Sequence, residues 1–510
     1  MKQQPNILVI QVDQMTASIL PAYGNKLAKT PHINSLAQQG TVFENSYTPF
    51  PLCVPSRMSM LTGRLAHSIA QWDNAIELPA AVPTIAHYLR NVGYNTILCG
   101  KMHFIGPDQV HGFDERITTD IYPANFAWTP DWVVGERYRP TGINPRAVVE
   151  AGVCRRSLQM DYDDEVENVG IQKLYDLARY GRDKPFLMWM SFTHPHSPFM
   201  IPQKYWDLYD HNEVDMPKVD PIPVEDQDTM SRWLYYAHGH DLLNIDEQHV
   251  RNARHAYYGM TSYLDDKVGR IMDVLHEMDL ADETIVVFTS DHGEMLGERG
   301  CWFKQYFYEN SANVPLIIKY PGQNQGHRVP ELVSLVDLLP TFMEWAVGDE
   351  WEQASPLDGR SLHGLASNTD TTWDNAVISE YSGEGVTAPC RMLRRDQHKY
   401  IYTHGHPAQL FDLQTDPLEM NNVIGKAEYA DIEQCLSTEI MRNWDPQAIN
   451  EACLQSQKER MLIQKATNGE PNWAHISRHG DDKKFVRNSS AVGAKGAARY
   501  PYVEPVPFKS

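Results

Sequence analysis

The sequence predicts an α/β protein. Residues 1–372 form the larger domain on a doubly wound, mostly parallel sheet, 373–470 a smaller C-terminal α+β subdomain, and 471–510 an extended tail. Three observations predict this. Several short apolar runs do not alternate, as expected of strands buried on both faces. Helical patterns separate them. The runs end in polar, chemically useful residues, and in such sheets ligands bind beyond the carboxyl ends of the strands.

The elements follow in chain order. Ile7 to Val12 reads as a buried strand running into Asp13. Pro55 has its φ preset for a first helical turn, Ser56 to Leu61 continues it, and Gly63 stops it. Cys53 then lies at a helix N-terminus, where free N–H groups and the macrodipole favour an anion. Thr84 to Val92 reads as helix. Asn95 to Gly100 is a strand running into Lys101 and His103, and Pro185 to Phe192 one running into His194 and His196. Arg251 to Met278 is helical, and Thr284 to Ser290 is a strand ending at Asp291 and His292. The turn-rich segment from Gly348 to Asp374 closes the first domain. Beyond it Ala376–Ser379, Lys399–Tyr402 and Leu410–Leu413 read as strands, and Ala427 to Ala466 as largely helical. The aromatics of the tail suit an arm lying on another surface, so a homo-oligomer, dimer or tetramer, is expected.

A chain of 510 residues is too long for one simple core. Its net charge of −21 makes nucleic acid an improbable partner and disfavours a net anionic substrate; a zwitterion escapes that penalty. No apolar run is long enough to span a bilayer and no signal peptide is evident, so no membrane partner is expected. The seven cysteines are scattered without zinc-type spacing, which suits a reducing cytoplasm.

Asp13 follows one buried strand, and Asp291-His292-Gly293-Glu294 another. Taken alone, each aspartate reads as a helix cap. Together with Cys53 they read as a cation site. Hard oxygen ligands suit calcium best, with manganese or magnesium as other divalent choices.

The pattern Cys53-Val54-Pro55-Ser56-Arg57, followed by Leu61-Thr62-Gly63-Arg64, resembles the signature of the type I sulfatases. Pro5-Asn6-Ile7 to Asp13, Thr30-Pro31-His32 to Ala37, Gly100-Lys101-Met102-His103 and Ser290 to Glu294 look like motifs of the same family. The resemblance implies an alkaline-phosphatase-like fold. It also implies that a formylglycine-generating enzyme oxidises Cys53 to formylglycine, whose hydrate supplies the nucleophilic hydroxyl. It implies a metal held by Asp13, Gln14, Cys53, Asp291 and His292. Many sulfatases carry a second aspartate where Gln14 stands; phosphonate monoester hydrolases and choline-sulfatases share the Asp-Gln pair. Lys101 and Lys304 would neutralise sulfate oxygens, Arg57 would support the hydrated aldehyde, and His196 would touch the transferring group. His103 would protonate the leaving oxygen. His194 is either a substrate contact or a core hydrogen-bonder.

The segments Thr118 to Ala124, Trp128 to Trp132, Met160 to Val166, Leu296 to Gly300 and Val486-Arg487-Asn488 are similar to choline-sulfatases in particular. A quaternary ammonium wants an aromatic face and a carboxylate, for which Trp128 and Glu380 are candidates. Within Tyr138 to Pro145, Asn144 alone stands in for the polar residues choline-sulfatases carry there. The expected substrate is a small sulfate ester, choline sulfate first. The alternatives are a phosphonate or phosphate ester hydrolase, a sulfatase for another alkyl or sugar sulfate, and an inactive binding protein for a sulfated osmolyte.

Overall fold

The computed structural model describes residues 4–349, 351–367, 369, 372–468 and 499–509. The strands are β1 Asn6–Val12, β2 Thr41–Tyr47, β3 Asn95–Gly100, β4 Glu115–Arg116, β5 Gly152–Val153, β6 Phe186–Ser191, β7 Met200–Ile201, β8 Thr284–Ser290, β9 Leu316–Lys319 and β10 His327–Ser334. After them come β11 Ala376–Tyr381, β12 Cys390–Arg395, β13 His398–Thr403 and β14 Gln409–Asp412.

One sheet has eight strands in the order β10-β2-β9-β8-β1-β6-β3-β4. Its centre is parallel: Val9 of β1 faces Trp189 of β6 on one side and Val287 of β8 on the other. Only β9 runs antiparallel to its neighbours. Side chains alternate between the faces along a strand. Leu8, Ile10 and Val12 therefore join the helices Pro31–Gln39, Leu158–Tyr180 and Glu247–Glu277 in one core. Ile7 and Val9 join the helices Cys53–Thr62, Ile85–Asn91 and Leu338–Val347 in the other. Both sets are apolar because both faces are covered, and each fully buried Leu or Ile contributes roughly 1.5–3 kcal/mol. The sheet is doubly wound, as its non-alternating runs predict.

The second sheet is antiparallel, in the order β11-β12-β13-β14. A core containing Phe50, Leu52, Tyr381, Met392, Trp444 and Cys453 joins it to the first. The helix Pro446–Ala466 starts at a capped Asp445, reaches back past the second sheet, and packs on the turn Phe126–Trp128. The expected single helical stretch from Ala427 is two helices, Ala430–Glu439 and Pro446–Ala466. The expected helix from Arg251 begins earlier, at Glu247, because Asp246 and His249 form a capping box.

The described part of the tail lies on its own chain. Tyr500 bridges Arg156, the Arg499 guanidinium donates to the carbonyls of Glu150 and Val153, and the Lys509 N–H donates to Leu242 O. Val486-Arg487-Asn488, and 469–498 as a whole, lie outside the described residues. No helix among the described residues is long and apolar enough to cross a membrane.

Candidate active site

The four adjacent parallel strands β8, β1, β6 and β3 deliver their carboxyl ends to one edge of the sheet. Asp291, Asp13, His196 and Lys101 all follow from there. The helix Cys53–Thr62 points its N-terminus at the same place. Gly63 ends that helix at φ +65°, a left-handed value that glycine adopts without strain.

Cys53 is buried at the centre. Its Sγ lies 3.3 Å from His292 Nε2, 3.4 Å from Lys304 Nζ and 3.6 Å from Lys101 Nζ. Burial alone would raise the thiol, but Lys101, Lys304 and His292 hold it well below its ordinary value. This position favours negative charge.

Arg57 ties the carboxylates together. Its Nε donates to Asp291 Oδ2 at 2.8 Å and its Nη2 to Asp13 Oδ2 at 3.0 Å. Its Nη1 donates to Lys101 O at 2.6 Å and Ser191 Oγ at 2.9 Å. Lys101 pairs with Asp13 and lies 4.3 Å from the centre of the Tyr122 ring. Burial opposes the Asp13 charge, as does Cys53, yet Lys101, His196 and Arg57 keep its carboxyl below the usual range. The Arg57 contacts make it a brace for the two aspartates.

The donor set fits a divalent cation. Ligand atoms of Asp13, Cys53, Asp291 and His292 all lie within 4.8 Å of one another. Asp13 Oδ1 is buried with no hydrogen-bond partner. With His292 Nδ1 donating to Gly293 O at 3.1 Å, its Nε2 lone pair is left for the cluster. That atom lies 3.8 Å from Asp13 Oδ1 and 3.7 Å from Asp291 Oδ1. Gln14 Oε1 accepts from Lys304 Nζ at 2.8 Å, and Gln14 Nε2 is held by Glu294.

Lys304 also meets His196 Nε2 at 2.6 Å, so it touches Gln14, Cys53 and His196 together. Its neighbours Phe303 and Gln305 have φ of 69° and 85°, and Gln14 and His103 have 64° and 63°. Left-handed backbone at four non-glycine positions around one site is strain the surrounding structure must hold. Glu294 holds part of it, accepting the Phe303 N–H at 2.5 Å. Asp120 holds another part, accepting the N–H groups of Met102 and His103 at 2.9 and 2.6 Å.

His103 faces Cys53, and neither ring nitrogen has another protein partner. Burial lowers its pKa, against the pull of Cys53. Trp128 meets the His103 ring edge-on at 5.4 Å and Tyr122 at 5.3 Å. The structure therefore brings Asp13, Gln14, Cys53, Arg57, Lys101, His103, Trp128, His196, Asp291, His292 and Lys304 together.

Three expected substrate contacts need correction. Glu380 binds His67 at 2.8 Å and Arg391 at 3.3 Å, so its charge is already matched. Burial would raise its carboxyl, but His67 and Arg391 bring it below the usual value. The His194 ring turns to Asp163 at 2.6 Å and to the edge of Tyr263, which makes it a core hydrogen-bonder. Asn144 is engaged by its own turn, donating to Gly142 O and accepting from the Arg146 N–H.

A different buried carboxyl, Glu384, lies close enough to Lys304 and Cys53 to interact with both. It is buried, its Oε1 accepts from Asn74 Nδ2 at 3.3 Å, and its Oε2 has no partner. Burial pushes its pKa up to about 8, with Asp73 adding to the rise, Lys304 opposing it, and Cys53 close enough to contribute. Asn74 Oδ1 accepts the Val54 N–H at 3.0 Å, one residue beyond Cys53. Sequence reasoning missed Asn74, Tyr122 and Glu384. Ser382-Gly383-Glu384-Gly385, a carboxylate between glycines beside the Ser379-Glu380-Tyr381 strand, was the available signal.

A buried cysteine at a helix N-terminus, two lysines on it and a carboxylate–imidazole cluster beside it suit hydrolysis of an anionic ester, and the comparisons make that a sulfuric ester. A family model described as Sulfatase matches residues 5–348, and one described as N-sulphoglucosamine sulphohydrolase, C-terminal, matches 297–445. The chain is 40% identical to a choline-sulfatase of Rhizobium meliloti (strain 1021), covering 98% of this chain and 99% of that one. It is 29% identical to an arylsulfatase of Clostridium perfringens, covering 84% of this chain and 91% of that one. The chain belongs to the sulfatase family. A phosphonate monoester hydrolase of Agrobacterium radiobacter shares the fold at TM-score 0.69 and 24% identity, covering 86% of this chain and 95% of that one.

Proposed function

We propose that this enzyme hydrolyses choline sulfate to choline and sulfate, with Cys53 converted to formylglycine by a formylglycine-generating enzyme. The observation that carries the substrate is Glu384. It is a buried carboxyl with a free oxygen and no cationic side chain bonded to it, and the loop that carries Trp128 reaches its neighbour Gly383 through Trp132 Nε1. An ammonium head gains from both an aromatic face and a carboxylate. The identity to the choline-sulfatase of R. meliloti supports the same reading.

Asp13, Gln14, Asp291 and His292 would hold a divalent cation, calcium by the hardness of the oxygens. The cation and the formylglycine hydrate would supply positive charge at the sulfate and the attacking hydroxyl. The chain's own residues do the rest. Lys101 and Lys304 place two positive charges at Cys53, where they would hold the negatively charged sulfate oxygens while the ester bond's electron pair leaves with the alcohol oxygen. His196 orients Lys304. Arg57 fixes Asp13 and Asp291 relative to each other. His103 is placed beside Cys53 to deliver a proton to the leaving alcohol oxygen.

The limits 1–372, 373–470 and 471–510 remain our division of the chain. The seven unpaired cysteines support a reducing cytoplasm.

The test compares kcat/KM on choline sulfate, an uncharged alkyl sulfate of equal size, a sulfated sugar and a phosphonate monoester. Choline sulfate should lead. A lead for the sulfated sugar would overturn the substrate, and a lead for the phosphonate would overturn the reaction.

A further inference from the structure

We propose that Arg460, on the helix Pro446–Ala466, is a positioning residue for the leaving-group end of the site, acting through Asp73 and Asn74 on Glu384. The inference rests on the reading of Glu384 as the partner of a cationic leaving group.

Asp73 is fully buried and Arg460 nearly so. They meet in a two-pronged pair, Nη1 to Oδ1 and Nη2 to Oδ2, both at 2.6 Å. Such a fork fixes orientation as well as distance. Asp73 Oδ1 also accepts the Ala75 N–H at 2.9 Å. The carboxylate thus shapes the turn that presents Asn74. The Asn74 amide spans two groups: its Oδ1 takes the Val54 N–H and its Nδ2 donates to Glu384 Oε1. An amide held at both ends leaves Glu384 with one bound oxygen and one free one.

The same helix reaches Glu384 by a second route. Gln457, one turn before Arg460, accepts the Trp132 N–H at 3.0 Å. Trp132 Nε1 in turn donates to the carbonyl of Gly383 at 3.2 Å. Gly383 precedes Glu384 in the chain. One helix from the far end of the sequence therefore holds the side chain of Glu384 through Asn74 and its backbone through Trp132. Arg460 itself touches none of Cys53, Lys101 or Lys304, and of its two routes the one through Gln457 and Trp132 meets only the backbone beside Glu384, so its larger effect falls on the leaving group.

The test uses full-length, converted enzyme with choline sulfate and nitrophenyl sulfate, whose leaving group carries no cation. Arg460→Lys keeps the charge and loses the fork. Gln457→Ala breaks the second route through Trp132 without touching the charge of Asp73, and serves if the lysine variant does not fold. Either should raise KM for choline sulfate roughly tenfold, since a shift of about an ångström is enough for that. KM for nitrophenyl sulfate and kcat on both esters should stay within about twofold. In a Glu384→Gln background, Arg460→Lys should add no further change in KM. A merely structural role would lower the active fraction, and so kcat on both esters alike, with KM unmoved. That result, an equal rise of KM on both esters, or additive effects with Glu384→Gln would overturn the inference. A wild-type enzyme with no preference for choline sulfate over an uncharged alkyl sulfate would instead overturn the substrate reading beneath it.

Discussion

The two ends of the active site are built differently. The sulfate end is assembled from the carboxyl ends of β8, β1, β6 and β3, with the helix Cys53–Thr62 and the Lys304 loop closing on them. Most of its residues follow a strand by one or a few positions. The leaving-group end is assembled from loops, 71–75, 126–132 and 382–386, and braced by a C-terminal helix. The first is rigid because hydrogen-bonded neighbouring strands fix it. The second depends on long-range side-chain pairs, such as Asp73 with Arg460. A sheet edge can therefore keep one chemistry while the loops around it select the alcohol.

The comparison breaks most sharply at Lys304. Removing it should slow choline sulfate and nitrophenyl sulfate alike, by about 10²–10³-fold in kcat, the usual cost of losing one donor to developing charge. A variant Lys304→Ala that lost activity on only one ester would show that the two ends are not separable.

His103 lies between the ends and should behave as a hinge of the comparison. The choline alkoxide is a poor leaving group and needs a proton, whereas nitrophenolate does not. His103→Ala should therefore lose about 10²-fold or more on choline sulfate and far less on nitrophenyl sulfate. Equal losses would make His103 part of the sulfate end.

Glu384 and Trp128 should carry the smaller, selective effects. Trp128→Ala should raise KM for choline sulfate by about threefold to thirtyfold, matching the roughly 0.5–2 kcal/mol of a cation over an aromatic face. Above about pH 8, where Glu384 is ionised, Glu384→Gln should act in the same direction, with kcat on nitrophenyl sulfate unchanged. Glu380→Gln should lower thermal stability and leave selectivity alone, because His67 and Arg391 already match its charge. Kinetics on both esters, with a melting curve for Glu380→Gln, checks all three.

The smallest expected effect is with pH. Burial holds the Glu384 carboxyl at about 8, so below that pH it keeps its proton and is neutral, and above it becomes an anion that attracts an ammonium. KM for choline sulfate should therefore fall as pH rises through about 8, relative to an uncharged alkyl sulfate measured alongside. A constant ratio of the two KM values across that range would remove Glu384 from recognition.

The same contrast explains what could be read in the sequence. β1, β3, β6 and β8 announce themselves as apolar runs, and the residues just beyond them are polar for a reason that local pattern shows. Asp13, Lys101, Asp291 and His292 were legible on that ground, and Cys53 from the Cys-x-Pro-x-Arg element at a helix start. β2 and β10 were not, because Glu44, Asn45, His327 and Arg328 interrupt their apolar character on one side of the sheet. At the leaving-group end, Glu380 and Glu384 sit four residues apart and look alike in sequence. Only the fold shows that Arg391, its cross-strand neighbour, and His67 claim the first and leave the second free. Asp73 and Arg460 lie 387 residues apart, and no local pattern links them.

The central claim is that turnover depends on oxidised Cys53 in the lysine-lined cluster. Mass spectrometry of the peptide spanning Leu52 to Arg57, taken from preparations of graded activity, tests it most directly. The account predicts an aldehyde at position 53 whose fraction rises in proportion to kcat, and no turnover from Cys53→Ala. Full activity from protein carrying an unmodified cysteine there would contradict it.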